Sequence, residues 1–260
     1  LKLDQKRRIE IVNEILASNE NYHWMRQYHD DIHYSGYQAV AEYINTELGG
    51  ADFTLVASVG SGCSSGGISS ALRSAGQDVK LIGIQPFGSV TFGSEYVEDP
   101  GIIMAGIGSS IPFDNVHHDL YDTIHWVSFD YARNRAIALL KDHAVFAGLS
   151  SGCCYLVASR EVKRDPGQNV LFIAPDIGNR YVEGVFAHYG QAKPIEDLAP
   201  NIITRHSELA LPWACMEWRR RPEPCKRLWH SDRITDKPPS DADSGGKSNM
   251  VPREGKNSSV

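Results

Sequence analysis

The spacing of apolar residues switches between helical and strand-like periods along the first 190 residues. Ile9, Val12, Ile15 and Leu16 recur at helical spacing and predict an amphipathic helix over 3–17. Residues 22–28 read as a short aromatic strand, and 37–48 as a helix ended by Gly49-Gly50. The apolar run 53–58 predicts a strand that enters a glycine loop and then a helix from Ile68 to Gly76. A second strand over 79–84 stops at Pro86, and 87–118 is a glycine-rich loop region. Residues 123–127 form a third strand, Ser128 caps a helix over 131–141, and Ser150-Ser151-Gly152 opens another helix to about Arg164. Asp165-Pro166-Gly167 is a turn before a strand over 170–174, and 178–189 is a last loop and helix. Strands alternating with helices predict an α/β fold, an open, mostly parallel, twisted sheet with helices on both faces.

The pattern is lost near residue 195, so the expected organisation is an α/β domain over 1–195, an irregular extension over 196–230 and a disordered tail over 231–260. The extension mixes Trp213, Trp218 and Trp229 with arginines and cysteines without a clear period. It reads either as a docking segment or as an unpacked extension, the second being preferred. The tail is Pro, Ser, Gly, Asp and Lys with almost no apolar residues.

Composition narrows the partners. A net charge of −6 argues against a nucleic-acid surface. No apolar stretch approaches the ~20 residues that span a bilayer, so no membrane partner is expected. The five cysteines, Cys63, Cys153, Cys154, Cys215 and Cys225, are an odd number without a C-x-x-C. With no export signal, they point to a reducing, cytoplasmic compartment. Leu1 enters directly into a helical pattern, which suggests a fragment or a processed chain.

The main candidate for chemistry is Gly60-Ser61-Gly62-Cys63-Ser64-Ser65-Gly66-Gly67, between a strand and a helix. Glycines let the backbone approach a ligand, and the N–H groups of a first helical turn point at an anion. Ser61, Ser64 and Ser65 add hydroxyls. Residues 60–66 also approach a dinucleotide fingerprint, but the acid expected some 20 residues on falls at Gln85-Pro86. His29 and His33, at i and i+4, have the spacing of a metal pair, although further ligand candidates are distant, and no metal site is assigned.

Three more motifs follow in order: Gly106-Ile107-Gly108-Ser109-Ser110-Ile111-Pro112, Phe146-Ala147-Gly148-Leu149-Ser150-Ser151-Gly152, and Pro175-Asp176-Ile177-Gly178-Asn179-Arg180-Tyr181. Together with the first loop they resemble the cysteine synthase group of pyridoxal-phosphate enzymes, the fold type II class. Gly60-Ser61-Gly62-Cys63-Ser64 is similar to the family's G-T-G-G-T phosphate loop. The later three are similar to G-I-G-A-G-F-I-P, A-G-I-S-S-G and P-S-S-G-E-R-Y. Trp24 with Gln27-Tyr28 resembles the Q-Q-F segment upstream. The resemblance covers residues 1 to about 190.

It implies pyridoxal 5'-phosphate as cofactor, an amino acid as small-molecule substrate, and homodimerisation. The implied reaction is β-elimination of a leaving group from an activated serine, then addition of sulfide or another nucleophile. The implied cofactor contacts are Gly60, Ser61, Gly62, Cys63 and Ser64 for the phosphate, Gly106 in the closing loop, and Ile177 at the ring nitrogen.

Three departures qualify that implication. The family's Schiff-base lysine and its T-S-G-N loop belong to an upstream domain and have no counterpart here; Lys2 and Lys6 read as solvated helix residues. No catalytic residue is therefore assigned, the chain reads as the C-terminal portion of such an enzyme, and it is expected to be inactive alone. Ile177 stands where the family has a hydroxyl for the ring nitrogen, and an unpaired buried polar atom costs roughly 1–3 kcal/mol. Asp176, Asn179 or a water are the possible substitutes. Cys63 replaces a glycine, which would cost about 1 kcal/mol or more if that residue took a positive φ; it reads as a reactive thiol or a buried structural one. The rival readings are a non-catalytic half-protein acting by association and a nicotinamide-dependent oxidoreductase.

Overall fold

The computed structural model describes residues 2–101, 104–191, 195 and 199–221. Helices α1 (Lys2–Ser18), α2 (Ile32–Ser35) and α3 (Gln38–Glu47) precede strand β1 (Phe53–Ser58). Then follow α4 (Cys63–Ser74), β2 (Lys80–Pro86), β3 (Thr123–Val127), α5 (Phe129–His143), α6 (Leu149–Arg164) and β4 (Asn169–Phe172). Two short strands, β5 (Asn201–Ile202) and β6 (Trp213–Glu217), close the described chain.

The six strands form one sheet in the order β4-β1-β2-β3-β6-β5. β4, β1, β2 and β3 are parallel, and β6 runs antiparallel to β3. Alternation along β1 splits the core between the two faces. Phe53, Leu55 and Ala57 join Ile68 and Leu72 of α4 on one face, while Val56 joins α5 and α6 on the other. The chain steps from β1 through β2 to β3 and then returns to place β4 on the far side of β1. Loops leaving β1 and β4 therefore flank a switch in strand order, where open α/β sheets bind their ligands.

Three local expectations differ from the structure. Residues 22–28 form no strand. Two of their carbonyls are instead met by Asn115, whose N–H donates to Tyr28 O at 3.0 Å and whose amide donates to Gln27 O at 2.9 Å. Tyr28 is held by stacking on Phe113 at 4.0 Å rather than by a strand neighbour. The helix expected from Ile68 starts at Cys63, and Gly66 and Gly67 give it a flat face beneath Tyr34 of α2.

The third difference lies in the extension expected to be irregular and unpacked. There β6 pairs with β3 in the register His125↔Cys215, Trp213 is 2% exposed, and Trp218 is fully buried. Along β6, Trp213 joins the core on one face of the sheet and Ala214 and Met216 that on the other, with Cys215 also buried, which supplies the period that the sequence lacked. Trp229, Cys225 and the tail 231–260 lie outside the described residues.

Candidate functional site

The glycine loop leaves the end of β1 and reaches α4 through Gly62, whose φ of 85° places it in the left-handed region. No side chain caps α4, so its first-turn N–H groups are free to face a ligand. Cys63 N makes only a long contact to Ser61 Oγ, 3.4 Å. Ser61 and Ser64 are half-buried, and neither hydroxyl donates to a protein acceptor among the described residues. Ser65 differs from the expectation of a third cradle hydroxyl. It is fully buried, with Oγ 2.8 Å from Tyr121 Oη, and so braces the helix from behind.

The 104–110 loop packs directly on this cradle. A β-carbon on Gly60 would fall 2.4 Å from Gly106 O, so both loops depend on a bare backbone at residue 60. Val59 O accepts from Gly108 N at 2.9 Å and from Gln85 Nε2 at 2.5 Å. Gln85 Oε1 accepts from Ser89 Oγ, which accepts in turn from Ser109 N at 3.0 Å. Gln5 of α1 closes the far side, its Oε1 accepting from Ser110 N at 2.8 Å. Gln85 thus has a bracing role, in the place where a dinucleotide site would carry an acid for the ribose. Gly106 itself has a φ of 76° and open space where a side chain would be.

Cys63 is helical and absent from the positive-φ residues, so the strain considered for its side chain does not arise. Its thiol is buried behind the cradle, with Gln27 O at 3.5 Å and Asn115 Nδ2 at 3.4 Å. That is the structural thiol of the two readings, and only its backbone N–H belongs to the loop's open side. Asn115, which no sequence signal marked, links Cys63 with the carbonyls of Gln27 and Asp30.

The 175–178 segment lies beyond β4. Gly148 N donates to Asp176 O at 3.1 Å, Ala147 bridges Ile177, and Ser150 Oγ donates to Asp176 Oδ1 at 3.1 Å. Tyr181 is buried, and its Oη accepts from Ala105 N at 3.1 Å, joining this wall to the closing loop. Arg180 is exposed. Ile177 is 63% exposed and offers no polar atom. Among the other described cysteines, burial pushes the Cys154 thiol up to about 12 and the Cys215 thiol up to about 11. His29 and His33 turn to separate partners, Asp114 Oδ2 at 3.1 Å and Met25 O at 3.0 Å. Among the described residues no three metal-binding side chains come together, and no helix is long and apolar enough to cross a membrane.

The model of the family described as pyridoxal-phosphate dependent enzyme matches residues 2–176. A cysteine synthase of Helicobacter pylori (strain J99) is 35% identical over 158 residues, 58% of this chain and 49% of that protein. An N-(2-amino-2-carboxyethyl)-L-glutamate synthase of Ralstonia nicotianae is 30% identical over 183 residues, 69% of this chain and 53% of that protein. The chain spans about half the length of the curated relatives it matches. Among solved structures, the O-acetylserine dependent cystathionine beta-synthase from Helicobacter pylori superposes with a TM-score of 0.60 at 29% identity, covering 68% of this chain and 58% of that one. A cysteine synthase from Entamoeba histolytica gives 0.63 at 22% identity over 73% of this chain and 56% of that one, a likeness of fold alone.

Proposed function

The chain belongs to the pyridoxal-phosphate dependent enzymes, as a cysteine-synthase-like member, and from that premise we propose that residues 60–64 hold the phosphate of the cofactor in a protein that performs β-replacement on an activated serine. The observation that carries this reading is the uncapped start of α4, where Gly62 turns the backbone and the Ser61 and Ser64 hydroxyls lack protein acceptors. An all-donor set at a helix N-terminus fits a dianion and would be costly to leave dry and unpaired. Bound pyridoxal phosphate supplies electron withdrawal from the amino-acid Cα, which lets a β-substituent leave.

The chain's own residues have narrower tasks. The first turn of α4 binds and orients the phosphate. Gln85, Ser89 and Gly108 fix the closing loop against Gly60, and Tyr181 fixes it against the 175–178 wall. The motifs of the lysine and of the substrate carboxylate loop have no counterpart in residues 1–260, so the 260-residue chain is read as a cofactor-binding portion without turnover of its own. Exposed, apolar Ile177 favours a second reading, a half-protein that acts by association. Homodimerisation and a reducing, cytoplasmic setting complete the proposal; the four described cysteines are all free and buried.

Titration of the purified chain with pyridoxal phosphate tests the reading. Saturable binding is expected, weakened roughly tenfold or more by Ser61→Ala with Ser64→Ala. Binding indifferent to those substitutions would remove the cradle. Measurable turnover of an O-activated serine would overturn the assignment of this chain as inactive alone.

A further inference from the structure

Residues 201–221, which close the sheet, are bordered by histidines that the fold keeps neutral. β6 begins at Trp213, 2% exposed, and fully buried Trp218 follows its end. Trp213 Nε1 donates at 3.0 Å to Nδ1 of His125, a fully buried ring on β3. An indole N–H can only donate, so the imidazole proton sits on Nε2, which has no partner among the described residues. A second proton would have to enter at Nδ1, where the Trp213 N–H already points. Trp218 packs on His118 at 5.5 Å and on His206 at 6.0 Å between ring centres. His118 Nδ1 is buried without a partner, and His206 Nε2 donates to Phe92 O at 3.1 Å. The charges around the rings add to the cost of a proton. His125 faces Lys80 of β2 and Arg160 and Arg164 of α6, the cations that meet Glu161. His118 and His206 both face Arg221, whose guanidinium lies 4.0 Å from the centre of the Trp218 ring. His117 adds to the positive side at His118, while Asp119 and Glu95 oppose it at His118 and His206 respectively. Burial, with these cations, depresses all three histidines, His118 to about 4.

We propose that residues 201–221 are an acid-released strap, which leaves the β3 edge on proton uptake by His118, His125 and His206 while the four parallel strands stay folded. None of this depends on a bound cofactor. In the released strap the histidines meet water and titrate near the ordinary 6.5. Each therefore favours release as pH falls below about 6.5, until its folded form takes the proton as well. Protonated His125 would also set two donors against each other at the Trp213 contact. The pairs of Arg220 with Asp78 and Asp122 tie the end of the strap and oppose release. The strap bears on the closing loop. His206 O accepts from Tyr96 Oη, and Ser94 Oγ donates to Ser89 O at 3.0 Å. Ser89 in turn braces Ser109.

Amide hydrogen exchange of the full 260-residue chain between about pH 7 and pH 5, corrected for intrinsic rates, tests the strap. The amides of 213–217 are expected to open roughly tenfold or more as often as those of 54–58. Their opening constant is expected to rise more than about tenfold per pH unit below about 6.5, the mark of more than one proton taken up. His125→Gln keeps an acceptor for the Trp213 N–H but cannot titrate, and is expected to reduce that rise by up to about tenfold per pH unit. His206→Gln, at a half-buried site, is expected to reduce it in the same direction. His143→Gln, exposed on α5, is expected to leave it unchanged. Equal protection of 213–217 and 54–58 at every pH overturns the strap. So does an opening constant for 213–217 that is independent of pH, or a rise that both His125→Gln and His206→Gln leave unchanged.

Discussion

The two ends of the parallel strands are built on opposite principles. At the starting ends, charges are paired. Asp122, just before β3, accepts from Leu81 N at 2.8 Å, Arg73 Nη2 at 3.2 Å and Arg220 Nε at 2.8 Å. Glu161, 1% exposed, meets Arg160, Arg164 at 2.6 Å and Lys80 at 3.6 Å. At the finishing ends, braces made mostly of neutral groups, Gln85, Ser89 and Tyr181 among them, hold the loops face to face, and the Ser61 and Ser64 hydroxyls are left without protein acceptors. The difference separates what keeps the sheet together from what it presents to a ligand. Donors open to solvent at a helix start beside a switch in strand order are where such sheets bind their ligands.

Substitutions at the starting end should therefore affect folding, and those at the finishing end should affect binding. The largest effect is expected from Trp218→Ala. This residue is fully buried against Phe92 at 5.1 Å between ring centres, and its loss should cost about 4 kcal/mol in urea unfolding. Asp122→Ala comes next, at about 3 kcal/mol, because it strands two partly buried guanidinium groups and the Leu81 N–H.

Acid should act at the same end. Burial depresses the His118 pKa from its ordinary 6.5 to about 4. The folded pKa lies below the unfolded one, so this stability is complete above about pH 6.5. As pH falls toward 4 the unfolded chain takes up a proton that the folded chain refuses, and about 2–3 kcal/mol is lost. His118→Gln should flatten that part of the pH profile; buried His125, also depressed by burial, adds a loss of the same sign. The smallest effect on folding is expected from Ser61→Ala with Ser64→Ala, within about 0.5 kcal/mol. A large loss of stability there would blur the distinction between the two ends.

Much of the proposed binding edge was legible in the sequence because it is local. Strand, glycine turn and helix start follow one another over residues 53–74, and backbone N–H groups need no distant partner to form a cradle. The four parallel strands and the Ser128 cap were readable for the same reason, the cap accepting from Tyr131 N. What escaped depends on contacts far apart in the chain. Asn115 reaches back to Gln27 and Cys63, Ser65 turns to Tyr121, and Gln5 meets Ser110. Trp213 and Trp218 looked unplaced because the partner of β6 is β3, far earlier in the chain (Thr123↔Glu217). The aromatic run at 22–28 misled for the converse reason. Its side chains pack singly, Tyr28 on Phe113 and Trp24 near His29, and no strand lies beside them.

The separation of the two ends meets its most direct test in parallel titrations of the purified chain with pyridoxal phosphate and with pyridoxal, which lacks the phosphate. Saturable binding of the first, roughly tenfold or more weaker binding of the second, and loss of that preference in the Ser61→Ala, Ser64→Ala protein at unchanged unfolding free energy are expected. Equal affinity for the two compounds, or a preference that survives both substitutions, would contradict a phosphate cradle at residues 60–64.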